Sequence, residues 1–158
     1  MTKKDMLTKL AESRRDLHQA IQDLSEDEMT QVQVEGVWTI KDVLGHIASW
    51  EEICLEPLRP YADGKPFQVA DVKDYLLSNK GLVAGKRDTP LDAIVDELDA
   101  IRQELAAVVA KLSVEQWERA VIFPWGDEGP VAELLDELLQ HELEHVHAIQ
   151  QWREDKVG

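Results

Sequence analysis

The stretch VAELLDELLQHELEHVHAIQQW, residues 131–152, decides the fold that this sequence predicts. Read in alternating steps of three and four, it carries one continuous seam along a helix. Two neighbouring positions of that seam are His141 and His145. The other members are all apolar: Val131, Leu134, Leu138, Ala148 and Trp152. Side chains at i and i+4 share one face, with Cβ atoms about 5–6 Å apart, so two imidazoles in this position can bind one metal ion at about 2.0–2.1 Å each.

Three further segments have helical spacing, and with residues 131–152 they predict an all-α four-helix bundle. The first covers about 3–24, and its apolar seam is interrupted once, at Arg14. The second begins near Thr39, where Thr39 and Asp42 have the spacing of a capping box. The third covers about 90–112 and has an apolar seam without polar interruption, so its role is expected to be purely structural.

The connection between the second and third helices is the least regular part of the chain. Pro57 and Pro60 are expected to end the second helix, because proline lacks a backbone N–H and clashes with the preceding turn. Residues 60–89 then form a connection that is too long for a simple bundle loop, and we expect it to be either a crossover or a lid that contains one short extra helix. The run AVIF, residues 120–123, is the one short strand candidate.

A weak internal sequence similarity, called the internal echo below, relates the two halves of the sequence. LSEDEM follows the first helix and LSVEQW follows the third, and each leads to a histidine-bearing helix. This echo hints at pseudo-symmetry.

Length and composition predict a single domain over residues 1–158. Apolar residues make up 44% of the chain and charged residues 31%, as in an ordinary globular protein. No apolar run approaches the roughly 18 residues that span a bilayer, and the N-terminus shows no secretory signal. The one cysteine, Cys54, cannot form an internal disulfide, so we expect a cytoplasmic protein.

The net charge of −15 limits the classes of partner. It argues against nucleic-acid binding, which depends on Lys and Arg side chains that neutralise phosphates, and against an anionic membrane surface. The expected partner is a small-molecule substrate. Because four-helix bundles with apolar outer stripes often pair, we also expect a homodimer.

A third histidine, His46, lies on an inward-facing position of the second helix. If this helix neighbours the last one, three imidazoles converge, and neutral imidazole suits Zn, Ni, Cu or Fe(II). Three protein ligands with one open position are the arrangement of a catalytic zinc. Cys54 lies two turns beyond His46 and is too far away to be a fourth ligand. The alternative is that these are core histidines, each with its own hydrogen-bond partner.

Four other residues are candidates around such a centre. Glu137, one turn before His141, is a candidate general base or acceptor for a ligand imidazole, with a solvated acidic residue as the alternative. Arg14 is a candidate for holding a substrate anion at the pocket mouth, unless its head group reaches solvent. Trp50 and Trp152 are close to the histidines along their seams and are expected to wall a pocket.

The remaining polar residues near the histidine pair are expected on the surface. Glu142 and Glu144 flank the pair and should face solvent in so acidic a chain. His147 and His18 are also expected on the surface and are not candidate ligands.

The segments VWTIKDVLGHIASWEE (residues 37–52) and LLQHELEHVHAIQQW (residues 138–152) resemble the DinB-like (YfiT-like metalloenzyme) superfamily. The motif is W-[ST]-x(6)-H combined with a late H-x-x-x-H. The resemblance implies an up-down-down-up four-helix bundle, for which residues 60–89 supply a long crossover. It also implies a divalent metal, zinc or nickel, held by His46, His141 and His145.

The same resemblance implies a metal-dependent enzyme that acts on a small electrophilic molecule. Members of the family include S-transferases and isomerases that use low-molecular-weight thiols such as mycothiol or bacillithiol. A thiol-dependent S-transferase is therefore one expectation and a metal-assisted hydrolase is another. Two alternatives stay open: a non-catalytic bundle that binds a metal or ligand, and a metal-free hydrolase of the ClbS/DfsB-like kind, which the tail HAIQQWRE also resembles.

Overall fold

Four long helices dominate the computed structural model, which describes residues 1–69, 83 and 85–157. They form the predicted four-helix bundle, with two short helices in the parts of the connections that the structure describes. In chain order the helices are α1 (Lys3–Ile21), α2 (Glu26–Thr30), α3 (Ile40–Ala62), α4 (Leu91–Lys111), α5 (Val114–Glu118) and α6 (Val131–Val157). The short extra helix predicted within residues 60–89 lies mainly outside the described residues.

One antiparallel hairpin stands directly before each histidine-bearing helix. Strand β1 (Gln33–Glu35) pairs with β2 (Trp38–Thr39) before α3, and β3 (Ala120–Ile122) pairs with β4 (Glu128–Pro130) before α6. The strand predicted from the run AVIF is confirmed as β3, whereas the other three strands were not predicted.

The two halves of the chain repeat one order of elements: a long helix, a short helix, a hairpin and a second long helix. Both short helices begin with a capping box, at Ser25 and at Ser113. The same sequence interval separates Ser25 from Ser113 and the buried Leu10 from the buried Leu98. The internal echo of the sequence therefore corresponds to a repeated structural unit.

The buried apolar side chains form two clusters that are stacked along the bundle. Helix α3 packs mainly on α4, and α1 packs mainly on α6. Met6 and Leu10, in the first half of α1, belong to one cluster, while Leu17 and Ala20, in its second half, belong to the other. Each long helix crosses from one cluster to the other near its middle.

Helix α3 continues past both of its prolines to Ala62, so the prediction that Pro57 and Pro60 end it was wrong. Each proline removes a backbone hydrogen bond and costs a helix interior about 3 kcal/mol. Tertiary contacts offset this loss. Leu58 is fully buried, and the buried Tyr61 donates its hydroxyl hydrogen to the backbone oxygen of Gln116 at 2.8 Å.

None of the helices that the structure describes combines the length and the apolar character needed to cross a bilayer.

Candidate metal centre

The first turn of α3 fixes the position of His46. The predicted capping box is confirmed: the Thr39 hydroxyl accepts from the Asp42 N–H, and the Asp42 carboxylate accepts from the Thr39 N–H, both at 3.1 Å. Two turns later His46 is buried, with 4% of its surface exposed. Its ring lies beside that of Trp38, with the ring centroids 4.7 Å apart. The imidazole is therefore held between the bundle and the first hairpin.

The three predicted ligand histidines come together across the bundle. The Nε2 atoms of His46 and His141 are 2.9 Å apart, and those of His141 and His145 are 3.1 Å apart. One ring nitrogen of each histidine lies within 4.8 Å of the corresponding nitrogens of the other two. Tetrahedral ligands at about 2.0–2.1 Å from a metal lie about 3.3 Å from one another. The observed spacing of the nitrogens is thus close to that of ligands to one ion.

Glu35, on β1, orients one of these imidazoles. Its carboxylate accepts a hydrogen bond from Nδ1 of His145 at 2.6 Å, which leaves the lone pair of Nε2 facing the other two rings. This is the pairing that ligand histidines make with an outer carboxylate. The hairpin turns at Gly36, whose φ of +57° is in the left-handed region that glycine adopts without strain.

Sequence reasoning missed Glu35 and nominated Glu137 for this role. The alternating run QVQVEG, followed by a glycine turn, is a strand and hairpin signal that would have marked the segment. It would not have shown which helix the carboxylate contacts.

Hydrogen bonds alone do not satisfy the three imidazoles. With the proton of His145 on Nδ1, the contact between His145 and His141 requires an N–H at Nε2 of His141. That nitrogen then has no lone pair for His46, and Nδ1 of His46 has no hydrogen-bond partner among the residues that the structure describes. A cation that accepts three nitrogen lone pairs suits the arrangement of Nε2 atoms better, so the donor set fits a divalent metal.

Burial keeps two of these imidazoles neutral. Desolvation, followed by the charges of the neighbouring imidazoles His141 and His145, lowers the pKa of His46 from 6.5 to about 3. Desolvation and His145 lower the pKa of His141 from 6.5 to about 4, against the opposing effect of Glu35. Both rings therefore keep free lone pairs at neutral pH, as metal ligation requires.

A cleft of about 540 Å³ reaches the histidine cluster. The rings of Trp50 and Trp125 form part of its wall, with their centroids 6.2 Å apart. The residues that line it are His46, Trp50, Trp125, Asp127, Glu137, Leu138 and His141. The cleft thus joins two of the metal-ligand candidates to an aromatic wall and two carboxylates.

Four further residues that the sequence analysis singled out differ in whether they line the cleft. Trp50 lines the cleft, as expected of a pocket wall, and Glu137, the candidate general base, also lines it. Trp152 instead packs against the apolar cluster that contains Leu17, and it does not line the cleft, because its position on α6 is almost two turns beyond His145. His147 is exposed.

Arg14 does not lie at the pocket mouth. Its side chain is buried, and its guanidinium donates to Glu142 and to Glu51 at 2.8 and 2.7 Å. The prediction that Glu142 faces solvent was wrong, because this carboxylate is fully buried against Arg14, Arg102 and Ser13. Although burial raises the pKa of Glu142, the charges of Arg102 and Arg14 hold it below its usual range.

One curated relative aligns over most of this chain. The uncharacterized protein YuaE of Bacillus subtilis (strain 168) is 23% identical over 152 residues, which cover 90% of this chain and 94% of YuaE.

Solved structures at low sequence identity share the fold. The mycothiol-dependent maleylpyruvate isomerase has a TM-score of 0.75 at 16% identity, over 94% of this chain and 61% of the isomerase, so this chain spans less than two thirds of that enzyme. YfiT from Bacillus subtilis, a probable metal-dependent hydrolase with an unusual four-helix bundle topology, has a TM-score of 0.72 at 15% identity, over 98% of this chain and 87% of YfiT. The colibactin self-resistance protein ClbS, in complex with a double-stranded DNA, has a TM-score of 0.77 at 11% identity, over 96% of this chain and 94% of ClbS.

The sequence model of the DinB superfamily matches residues 9–149, which is most of the chain and includes all three clustered histidines. The resemblance seen in the two histidine-bearing segments is confirmed, and the chain belongs to the DinB superfamily.

Proposed function

We propose that this protein is a cytoplasmic, divalent-metal-dependent enzyme that acts on a small electrophilic molecule. The observation that supports it most directly is the convergence of three imidazole Nε2 atoms, from two helices, beside a cleft of about 540 Å³. Three protein ligands beside an accessible cavity suit a catalytic metal, whereas a structural zinc is held by four protein ligands.

His46, His141 and His145 would hold the metal, and zinc and nickel, which the resemblance to the DinB-like family implies, are among the ions that neutral imidazole suits. When bound, such an ion supplies positive charge that stabilises the anionic form of a thiol or of water. Glu35 fixes the ring of His145 and increases its basicity, because its carboxylate accepts a hydrogen bond from Nδ1–H.

The cleft residues supply the rest of the proposed chemistry. Trp50 and Trp125 would hold an apolar or flat part of the substrate and exclude water from it. Glu137 would accept the proton that the nucleophile gives up, since its carboxylate lines the same cleft as His141. The nucleophile would then form its bond to the electrophilic carbon of the substrate as the bond from that carbon to the leaving group breaks, and the protonated Glu137 would return its proton to the departing group.

The charge of the cleft favours a particular class of substrate. Among the residues described, its lining contains the carboxylates of Asp127 and Glu137 and no Lys or Arg. Like charges repel strongly in a partly desolvated cleft. A divalent ion held by neutral imidazoles would about balance these two carboxylates, so we expect an uncharged electrophile to be preferred over a charged one.

The nucleophile is either a low-molecular-weight thiol or water. The mycothiol dependence of the isomerase supports the thiol, and the description of YfiT as a probable metal-dependent hydrolase supports water. Release of a thioether or of a hydrolysis product from the same electrophile distinguishes the two. Nucleic acid is not the proposed substrate, because the net charge of −15 repels phosphates.

We expect untagged protein to contain about one equivalent of zinc or nickel, measured by elemental mass spectrometry. His145→Ala should lose most of it, because two imidazoles bind a divalent ion much more weakly than three. His147→Ala is the matched control, since that residue is exposed on the same helix two positions away. Low metal content in gently prepared wild type, unchanged in His145→Ala, would refute the proposal.

Glu35→Ala should weaken zinc affinity by about 10- to 100-fold, the usual effect of removing a carboxylate that orients a ligand histidine. Competition with a chromogenic chelator measures this affinity. Gln33→Ala is the control, because Gln33 is exposed on the same strand. Equal affinities of Glu35→Ala and wild type would show that the contact with His145 does not tune the site.

Metal-free protein should lose stability as the pH falls below 6.5. The unfolded chain binds protons at His46 and His141 near pH 6.5, whereas the folded chain does so only near 3 and 4. The unfolded state therefore binds more protons in this window, and the free energy of unfolding decreases with falling pH. Urea unfolding in the presence of a chelator measures the slope between about pH 7.5 and pH 5. His46→Asn should make that slope shallower, and an unchanged slope would contradict the assignment.

Glu137→Gln should lower kcat by about 10²- to 10⁴-fold without loss of bound metal, if Glu137 is the general base. The assay uses a panel of electrophiles with thiols and with water alone. Glu144→Gln is the control, since Glu144 is exposed on the same helix. Activity that survives complete chelation would instead favour a metal-free hydrolase, and saturable binding without turnover would favour a binding protein.

A further inference from the structure

Four buried charged residues form a layer between the two apolar clusters of the bundle. Each long helix contributes one of them, at the point where it crosses from one cluster to the other. The members of this charged layer are Arg14 on α1, Glu51 on α3, Arg102 on α4 and Glu142 on α6. The charged layer thus sets two guanidinium groups against two carboxyl groups.

Each arginine bridges both carboxylates. Arg14 donates from Nη2 to Glu51 at 2.7 Å and from Nε to Glu142 at 2.8 Å. Arg102 donates from Nε to Glu51, and its Nη2 lies 3.1 Å from a carboxylate oxygen of Glu142. The Ser13 hydroxyl adds a hydrogen bond to Glu142 at 2.5 Å.

Each arginine also donates a hydrogen bond to a backbone oxygen on the helix that carries the other arginine. Arg14 donates from Nη1 to the backbone oxygen of Leu98 at 2.9 Å, and Arg102 donates from Nη1 to that of Leu10 at 2.8 Å. The sequence interval between the arginines equals that between the leucines. The layer therefore joins the two halves of the chain through equivalent, reciprocal bonds.

The carboxylates stand on the helices that carry the metal-ligand candidates. Glu51 follows His46 on α3, and Glu142 lies between His141 and His145 on α6. Because α3 packs mainly on α4 and α6 packs mainly on α1, direct packing between the two ligand-bearing helices is limited. The arginines of α1 and α4 supply four ionic contacts that link α3 to α6.

We infer that the charged layer is a positioning device for the metal centre: Arg14 and Arg102 fix the axial register of α3 against α6, and so the distance from His46 to the other two imidazoles. This inference rests on the proposed metal site. A shift of one helix along its axis by a fraction of a turn would separate the Nε2 atoms beyond the reach of one ion.

The guanidinium group is what this role requires. Its planar fork holds two carboxylates and a backbone oxygen in fixed directions at once. A lysine ammonium keeps the positive charge but is a single point on a flexible stem, so it does not fix the relative positions of two helices. Arg-to-Lys substitution therefore separates the geometry of the layer from its charge.

The test measures Co²⁺ binding to full-length Arg102→Lys by its d–d absorption spectrum and by competition with a chelator. Residues that couple to a ligand without contact change its affinity by about 2- to 30-fold, and we expect at least tenfold weaker Co²⁺ binding here, with an altered spectrum. Arg14→Lys should show the same loss, because its contacts are equivalent. Circular dichroism establishes that each variant keeps its helical content.

Val109→Ala is the control for a general loss of stability. Val109 is fully buried on α4, outside the charged layer, and its truncation should lower the Tm while Co²⁺ affinity stays at the wild-type value. Should Arg102→Lys fail to fold, Ser13→Ala tests the same layer by removing one hydrogen bond from Glu142, with an expected loss of about twofold or more.

Wild-type Co²⁺ affinity in folded Arg102→Lys and Arg14→Lys would overturn the inference while leaving the metal site intact. An equal loss in Val109→Ala would overturn it as well, because the effect would then follow stability alone. If wild type itself binds no Co²⁺, Zn²⁺ or Ni²⁺, the proposed function fails first and the inference falls with it.

Discussion

The mutual pairing of four buried charges is the interaction on which this bundle depends most. Removing an ion from water costs several kcal/mol even after the protein relaxes, so Arg14, Glu51, Arg102 and Glu142 are tolerable only together. Geometry that brings each arginine to both carboxylates is available at one alignment of the four helices. Apolar packing alone is less restrictive, since it depends on volume and pattern. The apolar clusters on either side thus supply most of the stability, and the charges restrict the alignment.

The two hairpins add polar and aromatic groups to the histidine cluster and its cleft, beside those that the helices provide. The first places Glu35 against His145 and Trp38 against His46. The second leads through the turn that carries Trp125 and Asp127. Because each hairpin runs directly into a histidine-bearing helix, a short stretch of chain fixes both the start of the helix and one side of the cleft. In this protein the DinB-like bundle therefore carries two short β-hairpins beside the histidine cluster.

Features governed by local sequence were predictable, and those governed by distant partners were not. The Thr39 capping box and the inward positions of the three histidines followed from helical spacing, since each depends on residues within a turn or two. Glu142 is next to His141 on the same helix, yet its burial depends on arginines that are far away in the sequence. Arg102 lies outside the apolar seam of the third helix, and its long side chain reaches Glu51 from beside that seam. The prediction that Pro57 and Pro60 end the second helix failed for the same reason. The hydrogen bond that holds Tyr61 beyond them goes to Gln116, which is far away in the sequence.

The reciprocal bonds of Arg14 with Leu98 and of Arg102 with Leu10 are those of an isologous contact, in which each partner offers the other the same group. Two identical halves joined in this way would carry every side chain twice, related by a dyad. A cluster built from one imidazole of one half and two of the other cannot obey that dyad. The asymmetric site therefore requires two halves that differ in sequence, as those of this chain do, joined by a contact that is itself symmetric.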